Sequence, residues 1–345
     1  MKDILEFLFQ GNTLTREQAK QSLYEVGMGM HSEVEFASFL TVFKMRPITS
    51  HELAGFRDAM AELCLVTDLS DYDPIDVVGT GGDGKNTFNI STLACFIIAG
   101  AGVNVAKHGN YAVSSTSGSS NVLEYLGYNC SNESDKLKKD LDTGNFCFMH
   151  APLFHPAMKH IAPVRKALKV YTFFNILGPM VNPAFPKYQL LGVNNTENFE
   201  HYKNVYDTLD VNYTVVHCIA GYDEVSLTGS TRFAGNKKEG YLSPTDFGFK
   251  KVKAESLFGG ESVKDAAGLF VQILEGNGTE EQNNVVVANA AMGLNLVYPE
   301  KSLLECVDMA NDALRSGKAL QKLKAVVNHQ QPGTFFHAQD VKANI

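Results

Sequence analysis

Over residues 1–70, apolar side chains recur at roughly helical spacing between polar runs: residues 4–9, then Ala19, Leu23 and Val26, then Val34, Phe36, Phe39, Leu40 and Phe43, then Leu53, Phe56, Met60 and Leu63. Thr15 with Gln18, Ser32 with Glu35 and Thr49 with Glu52 each put a hydroxyl three residues before a Glu or Gln, the spacing with which a capping box opens a helix. The pattern predicts a small all-helical unit of four helices, suited to docking or dimerisation rather than chemistry.

A polar connection at residues 68–74 ends that pattern, and short apolar runs then alternate with helical ones, which indicates an α/β domain. Ile75, Val77 and Val78 predict a strand, Gly79, Gly81, Gly82 and Gly84 a loop, and the apolar run 93–98 a helix. Residues 102–110 predict a second strand entering a basic, glycine-containing loop, and the hydroxyl-rich stretch 114–120 follows, Ser114 included. Asn121 with Glu124 predicts a helix start and Gly127 its end, 146–149 a strand, and 152–165 a helical segment broken by prolines and rich in His, Lys and Arg. Residues 173–183 read as an apolar loop at an inter-domain junction, 195–209 as a helix, 213–219 as a strand, 282–297 and 302–314 as helices, and 329–334 as a loop. The fold class expected is α/β, with a small all-helical domain plus a larger α/β domain on a mainly parallel central sheet. The helical domain is residues 1–70, with 164–190 adding helices or a hinge; the α/β domain is 71–163 and 191–345.

The strand, glycine loop and helix carry the first chemical signal. Glycines let backbone come close to a ligand, and free N–H groups of such a loop and of a helix start face an anion, so phosphate or pyrophosphate is the natural ligand. Two polar loops after adjacent parallel strands share one crevice. Lys107 is the candidate counter-charge there, and Asp223 with Glu224, just beyond a strand end, offers carboxylate oxygens of the kind Mg²⁺ prefers. The run Gly79-Thr80-Gly81-Gly82 fits neither G-x-G-x-x-G nor G-x-x-x-x-G-K-[ST], which sets aside hydride transfer and nucleotide hydrolysis.

Composition narrows the partners. The 345 residues carry a net charge of −8, which speaks against a nucleic-acid surface but leaves room for a small anion at a local positive site. There is no uninterrupted apolar segment of 18 residues, and the start Met1-Lys2-Asp3 lacks the basic region of a signal peptide; a cytoplasmic location without a membrane partner is expected. Six scattered cysteines lack metal-site spacing and read as reduced core residues.

Taken together, Gly79-Thr80-Gly81-Gly82-Asp83, Thr87-Phe88-Asn89-Ile90-Ser91-Thr92, Lys107-His108-Gly109-Asn110, Arg165, Asn175-Ile176-Leu177-Gly178-Pro179, Asn182-Pro183 and Asp223-Glu224 resemble the anthranilate phosphoribosyltransferase family over nearly the whole chain. The resemblance implies transfer of the phosphoribosyl group of phosphoribosyl pyrophosphate to anthranilate, giving phosphoribosylanthranilate and pyrophosphate on the way to tryptophan. It implies that the α/β domain binds the donor through Gly79, Gly82, Asp83, Thr87, Asn89, Ser91, Thr92, Lys107, Ser115 and Ser119. It places the acceptor on Gly79, His108, Asn110 and Arg165, puts Mg²⁺ on Ser91, Asp223 and Glu224, and suggests a homodimer through the helical domain. Arg165 is also favoured physically, because a guanidinium binds a carboxylate through two parallel bonds. Catalysis would be electrostatic and positional, with His108 at most a weak proton acceptor, while His155 and His160 read as packing or capping residues. The chain departs from the family pattern at Tyr111, where Arg is usual, and at Lys169-Val170-Tyr171-Thr172, where Gly-Ile-Arg-Thr is usual. A nucleoside phosphorylase is the competing enzyme, against which the acidic pair speaks. A silent binding relative is the competing class, against which the retained glycines and acids speak.

Overall fold

Each hydroxyl and Glu or Gln pair in the N-terminal seventy residues starts a helix. In the computed structural model, which describes residues 1–112, 115–236 and 238–330, the four helices are α1 (Lys2–Phe9), α2 (Arg16–Gly27), α3 (Glu33–Met45) and α4 (Ser50–Glu62). Thr15, Ser32 and Thr49 accept the N3 backbone N–H while Gln18, Glu35 and Glu52 reach back to the cap, so two otherwise orphaned donors are met at each start. Glu52 does more than cap. It is fully buried, accepts two bonds from Arg46 at 2.5 and 3.0 Å, and takes the Leu14 N–H at 2.9 Å. Burial alone would raise its carboxyl, but Arg46 and the backbone donors of Leu14 and Thr49 overcome this and hold it below the usual range. Glu52→Ala strands the Arg46 charge, so thermal unfolding should report a loss of about 3 kcal/mol; an unchanged melting temperature would refute that account.

The remaining elements are β1 (Ile75–Gly79), α5 (Ile90–Gly100), β2 (Val105–Gly109), α6 (Ser119–Tyr125), α7 (Ser134–Gly144), β3 (Phe146–His150), α8 (Ala151–Phe154), α9 (Met158–Leu168), α10 (Phe174–Leu177), β4 (Tyr188–Gly192) and α11 (Thr196–Tyr206). They continue as β5 (Asn212–Cys218), β6 (Thr231–Gly235), β7 (Lys238–Leu242), α12 (Val263–Leu274), α13 (Glu280–Val297), α14 (Leu303–Arg315) and α15 (Lys318–Gln330). One seven-stranded sheet runs β3-β2-β1-β4-β5-β6-β7, parallel as far as β5 and antiparallel beyond it. The mainly parallel sheet beside a helical bundle is the architecture expected.

Several local readings change. Residues 188–190, grouped with the helical segment from sequence, belong to β4, which pairs with β1 in register Ile75 to Tyr188 through Gly79 to Gly192. The apolar stretch 173–183 is not all loop: α10 and a 3₁₀ turn at Gly178–Met180 occupy it, because Phe174, Ile176, Leu177 and Met180 are all buried. Helix α6 begins at Ser119, two residues before Asn121, whose side chain instead accepts the Gly118 N–H at 3.0 Å. His329 and Gln330 end α15 rather than forming a loop, while residues 331–334 and Ser114 lie outside the described residues.

Two large apolar clusters cover the two faces of the sheet, with a smaller third of Leu137, Leu141 and Phe154 against Ala106, Cys147 and Met149 of β2 and β3. One packs α5, α13 and α14 on β1 and β2; the other joins the helical bundle, α9, α10 and α11 to residues of β4 and β5. Aromatic rings knit the second. Phe56 stacks on Phe173 at 4.3 Å, Phe173 on Phe174 at 4.7 Å, and Phe36 meets Phe174 edge-on at 6.1 Å. The bundle is thereby seated against the side of the sheet where the β1 and β4 ends open. The six cysteines are unpaired, and among the described residues no helix is long and apolar enough to cross a membrane.

Candidate active site

In an open parallel sheet, the crevice lies where neighbouring strands leave in opposite directions. Here that point is β1 beside β4, since β2 and β3 extend to one side and β5 to the other. Gly79 and Gly192 close the pair side by side. Asp223, delivered by the loop after β5, sits directly on them: a Cβ at Gly79 would strike its carboxylate, and one at Gly192 its backbone carbonyl. Only glycine lets this acid reach the strand ends.

The loop after β1 is then gripped by polar contacts. Gly81 and Gly82 take φ of 62° and 70°, in the left-handed region that glycine enters without steric cost. The Gly81 N–H donates to Asp223 Oδ2 at 2.6 Å, and the Gly81 carbonyl accepts from Asn194 Nδ2 at 3.1 Å. Asp83 accepts the Lys85 N–H at 2.9 Å, and Thr87 bridges to Phe258. Asn89 donates to the Ser117 carbonyl at 3.0 Å, tying the first loop to the second. At the start of α5, the Ser91 N–H donates to Glu224 Oε1 at 3.1 Å, while Thr92 is buried. Lys107 is not a surface lysine; it is 2% exposed, and its Nζ donates to the Val77 carbonyl at 2.5 Å and lies 3.4 Å from Ser91 Oγ. Ser115 Oγ donates to the Ser117 carbonyl at 3.4 Å, and Ser119 Oγ to the Asn110 carbonyl at 3.3 Å. Several of the residues expected on the donor side are therefore held by bonds in and beside the glycine loop.

The acids there crowd one another. Burial, then the nearby Asp83 charge, push the Asp223 carboxyl up to about 6. Burial, then Asp223 and Asp83, push Glu224 well above the usual range. Such a set is relieved by a hard cation. Among the described residues, no three His, Cys, Asp or Glu side chains are grouped to hold a metal by themselves, but Mg²⁺ commonly takes one or two carboxylates together with substrate phosphates.

The acceptor-side residues are more spread out. His108 is buried, with its N–H donating to Asp76 Oδ1 at 3.1 Å, its Nδ1 3.1 Å from the Gly178 carbonyl, and its Nε2 3.3 Å from Nε2 of His155. Burial, then His155, hold His108 well below the ordinary histidine value, and burial brings His155 to about 4. Both imidazoles are neutral near pH 7. A carbonyl can only accept, so His108 carries its hydrogen on Nδ1 and turns its Nε2 lone pair toward Nε2 of His155. Asn110 is exposed and accepts the Tyr111 N–H at 2.8 Å. Arg165, half-buried on α9, lies with its guanidinium 5.0 Å above the Phe174 ring and forms no ion pair among the described residues. Burial lowers its pKa, so a carboxylate arriving there would meet a poorly hydrated cation.

Asp76, Asn182 and His155 escaped the sequence reading as parts of the site. Asp76 is fully buried and accepts from Asn182 Nδ2 at 2.9 Å as well as from His108. An acid between Ile75 and Val77 in an otherwise apolar strand was the available signal. His155, read as a packing residue, is the partner of His108.

The glycosyl transferase family helical bundle domain matches residues 2–64, and the glycosyl transferase family a/b domain matches residues 71–320. The chain is 53% identical over 324 residues to the anthranilate phosphoribosyltransferase of Flavobacterium psychrophilum, covering 94% of this chain and 98% of that one. It is 50% identical over 327 residues to that of Cytophaga hutchinsonii, covering 95% and 100%. Its structure is similar to the crystal structure of the Thermus thermophilus anthranilate phosphoribosyltransferase, with TM-score 0.88, 34% identity, and 95% and 99% of the two chains covered. The Saccharomyces cerevisiae enzyme in complex with PRPP and Mg superposes with TM-score 0.85 at 26% identity, covering 94% and 96%.

Proposed function

Because the chain belongs to the anthranilate phosphoribosyltransferase family and transfers the phosphoribosyl group of phosphoribosyl pyrophosphate to anthranilate in tryptophan biosynthesis, we propose that the β1 glycine loop holds the donor and the α9 to α10 segment the acceptor. The observation that carries this division is the pair of bonds from Gly81 N–H to Asp223 and from Ser91 N–H to Glu224, which knits loop, helix start and acids into one cradle.

In this reading Gly79, Gly82, Asp83, Thr87, Asn89, Ser91, Thr92, Lys107, Ser115 and Ser119 surround the donor. Asp223, Glu224 and Ser91 are the groups that would hold Mg²⁺, and the mutual crowding of the acids fits such an ion. Bound there, it supplies positive charge against the pyrophosphate oxygens. Lys107 adds a fixed buried cation beneath the same crevice, next to the start of α5. As pyrophosphate leaves C1 of the ribose, an oxocarbenium-like centre develops, and the neutral anthranilate amine attacks its opposite face. No strong base is required. His108, with its Nε2 3.3 Å from Nε2 of His155 and its pKa held low by burial, is at most a minor acceptor for the proton released afterwards.

Arg165 is assigned the anthranilate carboxylate, with Gly79, His108 and Asn110 lining the path to C1. Arg165→Ala should raise the anthranilate KM about 100-fold and leave the phosphoribosyl pyrophosphate KM unchanged. Equal shifts in both constants would remove Arg165 from the acceptor side. A homodimer through the bundle is supported by exposed Phe9, Met30, Val34 and Met45, and sedimentation at twice 37.8 kDa would establish it. A cytoplasmic setting suits an acidic chain acting on small anions.

The assignment is tested by following pyrophosphate release and the loss of anthranilate fluorescence in one reaction, with and without Mg²⁺. Equal rates that both need anthranilate are expected. Pyrophosphate release that continues at full rate without anthranilate would overturn the coupled transfer.

A further inference from the structure

One aromatic side chain from the acceptor segment reaches across to the donor loop. Past the end of α9, Lys169 takes φ 53°, a left-handed turn that directs residues 170–172 back toward the sheet. Tyr171 follows, and its ring edge lies 3.3 Å from the Cβ position of Gly82. Asn194 also approaches that Cβ position, its Nδ2 at 3.7 Å. That amide is itself ordered: Asn198 Nδ2 donates to Asn194 Oδ1 at 2.9 Å, and Asn194 Nδ2 donates to the Gly81 carbonyl at 3.1 Å. Gly81 and Gly82 are thus clasped from one side by Asp223 and from the other by Tyr171 and Asn194. Tyr171 remains 42% exposed, so apolar burial does not explain where it stands.

We propose that Tyr171 is a positioning residue for the donor, holding the Gly81–Gly82 backbone in its phosphate-binding conformation from the acceptor-bearing segment. The inference rests on the donor reading of the glycine loop given above. Without the ring the loop keeps its fold through Asp223 but samples more conformations, and ordering it then costs donor affinity.

The chain has no tryptophan, so Tyr171→Trp introduces a single indole at this contact. Its emission should change on addition of phosphoribosyl pyrophosphate with Mg²⁺ and saturate at the donor concentration found by calorimetry. Tyr171→Ala should raise the donor KM about tenfold, with the anthranilate KM and kcat within twofold, and Tyr171→Phe, which keeps the ring, should leave the donor KM within about twofold. A role in folding alone would lower the active fraction, and hence kcat, without splitting the two KM values. Unchanged emission on donor binding, or a donor KM within twofold for Tyr171→Ala, overturns the proposal. If Asp223→Ala also leaves donor affinity intact, the donor reading itself fails; if it abolishes affinity, the error lies with Tyr171 alone.

Discussion

Replacing both acids by their amides, Asp223→Asn with Glu224→Gln, is expected to lower turnover by at least about 1,000-fold. The amide oxygens can still accept the Gly81 and Ser91 N–H groups, so the loop keeps its shape and only the charge is lost. The protein should not be destabilised in exchange. Asp223 and Glu224 are held against mutual repulsion and burial, as their upward shifts record, and neutral replacements relieve both. The expected pair of results is therefore lost catalysis with a melting temperature unchanged or higher, read by anthranilate fluorescence and by calorimetry without ligand. Turnover within tenfold of the parent would take the acids out of the reaction. A lower melting temperature would make them structural.

The second large effect is expected at Gly82. Gly82→Val forces a β-branched residue to φ 70° and sets its Cβ 3.3 Å from the Tyr171 ring, so the loop must leave its observed path. Donor affinity should fall at least about 100-fold while overall stability drops by only about 1–2 kcal/mol, since the loop carries little of the core. Gly81→Ala is the informative comparison. It has a similar φ of 62°, but nothing lies within 4 Å of its Cβ position, so it pays the backbone cost without the tight contact. A larger loss of donor affinity in Gly81→Ala than in Gly82→Val would show that backbone strain, not contact with Tyr171, sets the loop.

Features built from neighbouring residues were legible in the chain. The three capping boxes are local chemistry, and the strand, glycine loop and helix from residue 75 to 100 needed only composition and spacing. Strand β4 was not legible, because five residues containing Gln189 and buried on both sides of a parallel sheet leave no alternation to read. Its meaning lies in the pairing of Gly79 with Gly192, more than a hundred residues apart. The same holds for charge. Lys107 could be named as a cation, but not as a buried one, and Asp76 is ordinary until the fold places His108 and Asn182 against it. The contact of His108 with His155 arises in the same way, from two histidines that only the fold brings to 3.3 Å.

Phe174 gives the ring sequence of the bundle a further significance. The guanidinium of Arg165 rests on it, and Phe174 in turn abuts Phe173 and Phe36, the latter a core residue of the N-terminal helices. Trimming Phe36 to a smaller side chain would remove one wall of the ring on which the cation rests. On the proposed assignment of Arg165 to the anthranilate carboxylate, the choice of acceptor would then be adjustable from a core position of the bundle that lies outside the crevice.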